Sequence, residues 1–255
     1  MKLQSLFIIS FLIFTVSSCV TSSKLTYLQN EGERNDSIKT VTPTTYKIMP
    51  FDNLFIRVMT PDPKLADMFN TIPATVTGLS MTEQSADMLS YVVDGEGYIR
   101  IPYAGRIMVA GKTLDAVTDE VEIILKGYIS DAAVTVKMVN NYVSLLGEFK
   151  LPGKYPIYKE QLNVFQALAM AGDLSDFSNR QEIQIIRQTP NGNLIKEFNL
   201  NDRSIMASEF YYVMPNDVIY AKPMKGRFLH LNEFPYTIIL SALTTFVLFW
   251  NVIQY

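Results

Sequence analysis

The sequence holds one cysteine, one histidine and one tryptophan in 255 residues. A single thiol excludes an intrachain disulfide framework, and a single thiol with a single imidazole excludes a Cys/His zinc site. Any Ser–His–Asp triad would have to use His230. Charge is scarce as well: Asp, Glu, Lys and Arg make up 18% of the chain, against roughly 25% in ordinary soluble domains. The 22 basic and 25 acidic residues give a net charge of −3. Broad nucleic-acid binding, which needs a basic face to neutralise phosphates, is thereby excluded. No Gly-rich phosphate loop is present either. Hydrophobic residues, by contrast, reach 48% and aromatics 12%. That is enough for a packed core, so most of the chain is not disordered, and its length allows one or two compact domains.

Much of the apolar excess sits at the two ends. Met1-Lys2 is followed by an apolar stretch from Leu6 to Val16 and then by Ser17-Ser18-Cys19. A basic start, a short apolar run and small residues describe a secretory signal peptide over residues 1–18, too short to span a bilayer. The lone cysteine lies directly after the small residues, so Val16-Ser17-Ser18-Cys19 has the layout of a lipobox and Cys19 is the expected lipidation site. An ordinary signal peptide with a chance cysteine is the plainer alternative. Residues 19–43, rich in Ser, Thr, Asn, Glu and Lys, predict a flexible tether between membrane lipid and body.

At the other end, Phe234 to Tyr255 contains no Asp, Glu, Lys or Arg. About 22 residues at 1.5 Å each predict a helix of roughly 33 Å, long enough to span a membrane. Thr237, Ser241, Thr244, Leu248 and Asn251 recur at helical spacing as a weakly polar seam, with Tyr255 continuing it. Ile239, Leu243, Phe246, Trp250 and Ile253 occupy the opposite side as the expected membrane-facing residues. The seam reads either as the lining of a pore built from several copies or as a helix-packing face. Lys222, Lys225 and Arg227 precede the helix and nothing basic follows it. The positive-inside rule would then put the body in the cytoplasm, against the signal peptide, and the conflict disappears in an outer membrane.

Between the ends lie two β-rich units. In the first, Tyr46, Ile48, Leu54, Ile56 and Val58 alternate with other positions and are interrupted by Pro50-Phe51-Asp52. Thr60 to Asp87 reads as a loop, and Asp94-Gly95-Glu96-Gly97 as a turn between strands. Thr113 caps an amphipathic helix through Tyr128, and Val134 to Met138 closes the unit. In the second, Val143 and Leu145 form a strand that Gly147 breaks, and Pro152-Gly153 makes a turn. Asn163 caps a helix through Met170, Ile183–Arg187 and Leu194–Leu200 flank a hairpin turn, and Met214 to Tyr220 is a last turn and strand.

These motifs carry a resemblance to outer-membrane polysaccharide export proteins of the Wza type. Tyr46, Ile48, Pro50, Asp52, Leu54, Ile56 and Val58 resemble the opening motif of that family's polysaccharide export domain, with Phe51 where a Gly is usual, so that a different turn is expected. Asp94, Gly97, Ile99, Ile101, Pro102 and Gly105 resemble its second motif, followed by Gly111 and Thr113. Val143, Leu145, Gly147, Glu148, Pro152, Gly153 and Tyr155 are similar to the opening of a soluble-ligand-binding β-grasp domain. Pro215, Asp217, Val218, Ile219, Tyr220 and Pro223 are similar to its close, with Asn216 for a Gly and Asp173 for another.

The resemblance implies an α+β fold. A polysaccharide export domain (44–139) is followed by a β-grasp domain (140–223) and a linker with a C-terminal transmembrane helix (224–255). It further implies a homo-oligomeric ring that conducts capsular or extracellular polysaccharide across the outer membrane. The chain would be lipid-anchored with its body in the periplasm, and its partner an inner-membrane polysaccharide co-polymerase or tyrosine kinase. No enzymatic activity and no cofactor are expected. A glycan-binding lipoprotein of the periplasm or surface, without a conducting pore, is the alternative. A hydrolase built on Asp94 and Glu96 is a third reading. Glu148 reads as structural, His230 as an interface residue, and the Lys222, Lys225 and Arg227 cluster as solvated or facing an anionic surface.

Overall fold

The computed structural model describes residues 25–29, 41–71, 88–139, 141–159, 161–224 and 236–253. Strand β1 (Asn53–Met59) buries Leu54, Ile56 and Val58 on one face, as its alternation predicts. It is the middle strand of an antiparallel sheet, between β2 (Tyr91–Val92) and β5 (Ala133–Met138). A short helix, α1 (Pro63–Asp67), follows β1 where the sequence reads as loop. Strands β3 (Tyr98–Ile101) and β4 (Gly105–Met108) make a separate hairpin. The Asp94–Gly97 turn thus joins strands of different sheets. Helix α2 (Leu114–Lys126) is capped by Thr113, whose hydroxyl accepts from Ala116 N–H, and buries Val117, Val121 and Leu125. Burial of these side chains removes apolar surface from water at about 25 cal/mol per Å², and they join Ile56, Ile99 and Val109 in one core.

The second unit has its own core, centred on Val143, Leu145, Leu168, Leu174, Ile183, Ile185 and Ile219. Its elements are β6 (Tyr142–Gly147), β7 (Gly153–Pro156), β8 (Leu162–Asn163), α3 (Val164–Met170), β9 (Ser178–Thr189), β10 (Gly192–Phe198), a 3₁₀ turn (Arg203–Ala207), β11 (Tyr212–Val213) and β12 (Val218–Pro223). Five of the strands form a mixed sheet in the order β10-β9-β12-β6-β7, with β12 parallel to β6. Asn163 and Gln166 form a reciprocal capping box at the start of α3.

One turn recurs in both units. In Met49-Pro50-Phe51-Asp52 the Asp52 N–H donates to Met49 O at 3.2 Å, and in Met214-Pro215-Asn216-Asp217 the Asp217 N–H donates to Met214 O at 3.2 Å. The third residues, Phe51 and Asn216, have φ of 71° and 64°. Proline second and a positive φ third describe a type II turn. Phe51 therefore does not change the turn but adopts the glycine conformation, as does Asp173 at φ 79°. Asn and Asp tolerate this region, and Asp173 Oδ1 also accepts from Leu174 N–H at 2.8 Å. A left-handed phenylalanine costs about 1–2 kcal/mol, and glycine gives up part of that gain through unfolded-state entropy. Phe51→Gly is accordingly expected to raise stability by up to about 1 kcal/mol in urea unfolding. A loss would mean that the Phe51 ring, which passes near Gly95, outweighs the backbone strain.

The C-terminal helix, α4 (Tyr236–Ile253), has 18 residues. Among the described residues no helix is long and apolar enough to cross a membrane, so the expected C-terminal transmembrane helix is corrected. The fold is mixed α and β without that span. The physical reason is length and composition. Eighteen residues reach about 27 Å, short of a hydrocarbon core of about 30 Å, and Thr237, Ser241, Thr244 and Thr245 dilute the apolar run. The membrane-facing role expected of Ile239, Leu243, Phe246, Trp250 and Ile253 loses its basis with the span. Nothing here concerns strands that cross membranes.

Candidate functional site

The hairpin tip of the first unit is an ion-pair cluster. Arg106 Nη2, on β4, donates to Asp94 Oδ2 at 2.9 Å and to Glu96 Oε2 at 2.7 Å, and its guanidinium lies 4.4 Å from the Tyr98 ring centre. The Tyr98 N–H donates to Asp94 Oδ1 at 2.8 Å. This backbone bond, followed by Arg106, holds the Asp94 carboxyl below its usual range. Asp94 and Glu96 are thus brought together as ligands of Arg106, and a glycosidase acid needs a shift opposite to that of Asp94. Glu148 is buried and accepts from Ser175 Oγ at 2.8 Å. Lys222 Nζ pairs with Glu197 at 2.5 Å and lies 3.7 Å from Glu182. That places it in an ion-pair network on the sheet. Lys225, Arg227 and His230 lie outside the described residues, as does Cys19.

The two turns each bury an aspartate. Asp52 Oδ2 accepts from Met49 N–H and from the Tyr46 hydroxyl, both at 2.8 Å. Burial raises its pKa, against the pull of those two donors. In the second unit Arg187 holds Asp217 from two sides, Nε to Oδ1 at 3.0 Å and Nη2 to Oδ2 at 2.8 Å, and Nη2 also donates to Tyr212 O at 2.9 Å. Met214 N–H completes the Asp217 shell at 2.7 Å. The sequence marks both aspartates by motif, but Arg187 appears in it only as the end of a strand.

The seam on α4 has a definite hydrogen-bond pattern. Ser241 Oγ donates to Ile238 O at 2.9 Å, Thr244 Oγ1 faces Leu240 O at 3.0 Å and Ser241 O at 2.9 Å, and Thr245 Oγ1 donates to Ser241 O at 2.7 Å. The hydroxyl protons are thus spent on the helix's own backbone. Thr237, Ser241, Thr244 and Leu248 are exposed along one side, and on the other Phe246 and Trp250 stack with centroids 6.1 Å apart. The side chains of Ile239, Asn251 and Ile253 lie outside the described set. Exposed apolar side chains cover the helix, from Ile238 (66%) to Trp250 (54%). An isolated helix so exposed is a surface for contact.

A feature absent from every sequence motif is the docking of residues 25–29, inside the expected tether, against the second unit. Leu28 N–H donates to Leu200 O at 3.1 Å and Gln29 N–H to Asn201 O at 2.5 Å. The short run Leu25-Thr26-Tyr27-Leu28, apolar at three of four positions within a polar stretch, is a sequence signal of it.

Comparison with known proteins adds a family likeness for the first unit. A family model described as polysaccharide biosynthesis/export protein matches residues 40–139, the stretch containing both the first turn and the Arg106 cluster. The EPS I polysaccharide export outer membrane protein EpsA of Ralstonia nicotianae is 38% identical over 88 residues, 33% of this chain and 23% of that protein. Its counterpart in Ralstonia solanacearum is 35% identical over 88 residues, with the same coverage. The exopolysaccharide production protein ExoF of Rhizobium meliloti is 29% identical over 106 residues, 40% of this chain and 25% of that protein. The chain thus spans about a quarter of the length of the curated relatives it matches. Through residues 40–139, 100 of its 255 residues, the chain is similar to the polysaccharide biosynthesis/export protein family.

Proposed function

We propose that this chain takes part in polysaccharide export at the outer membrane, as a lipoprotein attached through Cys19 whose copies assemble into a conduit. The observation that carries the reading is the export-family match over residues 40–139. The residues of its two motifs hold the type II turn at Phe51 and the Arg106-bound hairpin tip. The export proteins named above support the outer-membrane placement. The body, comprising this domain (44–139) and a β-grasp domain (140–223), lies in the periplasm. The protein supplies a passage, and an inner-membrane co-polymerase or tyrosine kinase drives the polymer through it.

Assembly is supported by α4. Its described side chains are exposed and largely apolar, and Thr237, Ser241, Thr244, Leu248 and Asn251 form a seam of mostly small or polar side chains. The back-bonded hydroxyls favour a packing seam between copies over a wet lining, because their protons are already committed. The test is imaging of the detergent-purified full chain. Closed rings are expected, and deletion of residues 236–253 or the pair Ser241→Leu and Thr244→Leu is expected to break them into smaller species and abolish export in cells. A strictly monomeric wild-type protein in mild detergent would overturn the conduit and leave the glycan-binding reading.

A further inference from the structure

The docked segment Leu25–Gln29 forms a strap on the second unit. Tyr27 is its anchor. The phenol donates to Asp173 Oδ1 at 2.5 Å. The ring meets Phe165 edge-on at 5.9 Å, with the Arg180 guanidinium 5.4 Å from its centre. Arg180 is 6% exposed, and its Nε and Nη1 have no hydrogen-bond partner. The Tyr27 face is thus a compensating contact for a buried cation. Burial pushes the Tyr27 pKa up to about 12, so the hydroxyl remains a donor across the physiological range. On the far side Gln29 bridges Asp202 in parallel register, and Arg203 Nε donates to Leu28 O at 2.9 Å. Side chain, main chain and charge all hold the same five residues.

The geometry points to a receptor site on the second unit for the chain's own N-terminal segment, which sets how far the body stands from the membrane. This rests on lipidation at Cys19. From Cys19 to Leu25 is about six residues, at most about 20 Å of extended chain. With the strap released, the next fixed position in the described chain is Val41, whose N–H donates to Met206 O at 3.3 Å. That is about 22 residues from the lipid, a reach of about 75 Å. Docking therefore shortens a loose leash to a short one, and it makes the second unit the membrane-proximal part of the body.

Two readouts on the full chain separate the strap from the anchor. The first is hydrogen exchange of the Leu28 and Gln29 amides. Both are expected to be protected, and Tyr27→Ala is expected to speed their exchange about tenfold, with Tyr27→Phe intermediate because it keeps the ring. Unprotected amides in the wild type would overturn the docking itself. The second is energy transfer from a dye at Asp176→Cys to headgroup-labelled lipid in vesicles, with the lipid on Cys19 verified by mass spectrometry. Strong transfer in the wild type that is lost in Tyr27→Ala supports the spacing role. Transfer unchanged in the lipidated Tyr27→Ala protein overturns that role while the anchor stands. A wild-type protein without lipid on Cys19 overturns the anchor and with it the spacing role, leaving amide protection to report docking alone.

Discussion

Arg187→Ala is expected to destabilise the second unit by about 3–5 kcal/mol, the cost of leaving a buried carboxylate without its counter-charge. Asp217 is fully buried, and the Arg187 side chain is 10% exposed. Removing the guanidinium leaves Asp217 with Met214 N–H, at 2.7 Å, as its remaining donor. It also opens Tyr212 O, which Arg187 Nη2 satisfies at 2.9 Å, and strips a cation from 5.1 Å over the Phe210 ring. The consequences cross three elements, because Arg187 on β9 ties the Met214–Asp217 turn to the segment entering it. Urea unfolding followed by circular dichroism checks the size. With a slope of about 1–3 kcal/mol per molar, the midpoint falls by more than 1 M. The double variant Arg187→Met with Asp217→Asn removes both charges and is expected to recover most of the loss. If it unfolds as readily as the single variant, the destabilisation comes from lost packing and not from an orphaned charge.

Gly147→Ala is expected to be comparably damaging for a steric reason. Gly147 has φ of +87°, and a Cβ there would sit 2.2 Å from the Ala221 carbonyl oxygen and 2.8 Å from the Tyr220 ring. Left-handed strain alone costs about 1–2 kcal/mol. The carbonyl belongs to the parallel pair of β6 with β12, where Gly147 faces Ala221 and where Glu148 N–H donates to that same oxygen at 3.0 Å. Relief of the clash must part the two strands, so a total of about 3 kcal/mol or more is expected. Gly192→Ala is the control in the same unit. Its φ is +115° and no atom lies within 4 Å of the added carbon, so only the strain of about 1 kcal/mol is expected. Equal losses from the two variants would show that conformation alone, and not the approach to β12, makes position 147 intolerant.

Both positions show where reading the chain stops. Gly147 is legible as a break after an alternating strand, since Val143 and Leu145 point inward and the run ends there. The oxygen that forbids a side chain comes from residue 221, 74 positions away, and no local pattern encodes it. Arg187 is similar: the motif names Asp217, but its partner enters through the pairing of β9 with β12. Phe51 marks the opposite case. The sequence suggests a changed turn because phenylalanine resists positive φ. The flanking Pro50, the bonds of Asp52 and the Phe51 N–H to Val93 O at 2.9 Å impose the turn regardless. Hydropathy overreached at the C-terminus, where the described helix, Tyr236–Ile253, is not long and apolar enough to cross a membrane.

What the sequence determined by itself is what depends on neighbours along the chain. The alternation that buries Leu54, Ile56 and Val58, the caps at Thr113 and Asn163, the two Pro-x-Asp turns and the motifs that resemble the export family are all of this kind. Each is a short-range property of backbone sterics, side-chain period and local hydrogen bonds. The tertiary structure alone decided the Arg187–Asp217 pair, the Gly147–Ala221 approach and the seat of Tyr27 between Asp173 and Arg180. In these the partners lie 30 to 153 residues apart, and they meet only because two cores are closed by strands paired out of chain order. Burying polar groups there demands specific partners, and only the packed fold supplies them.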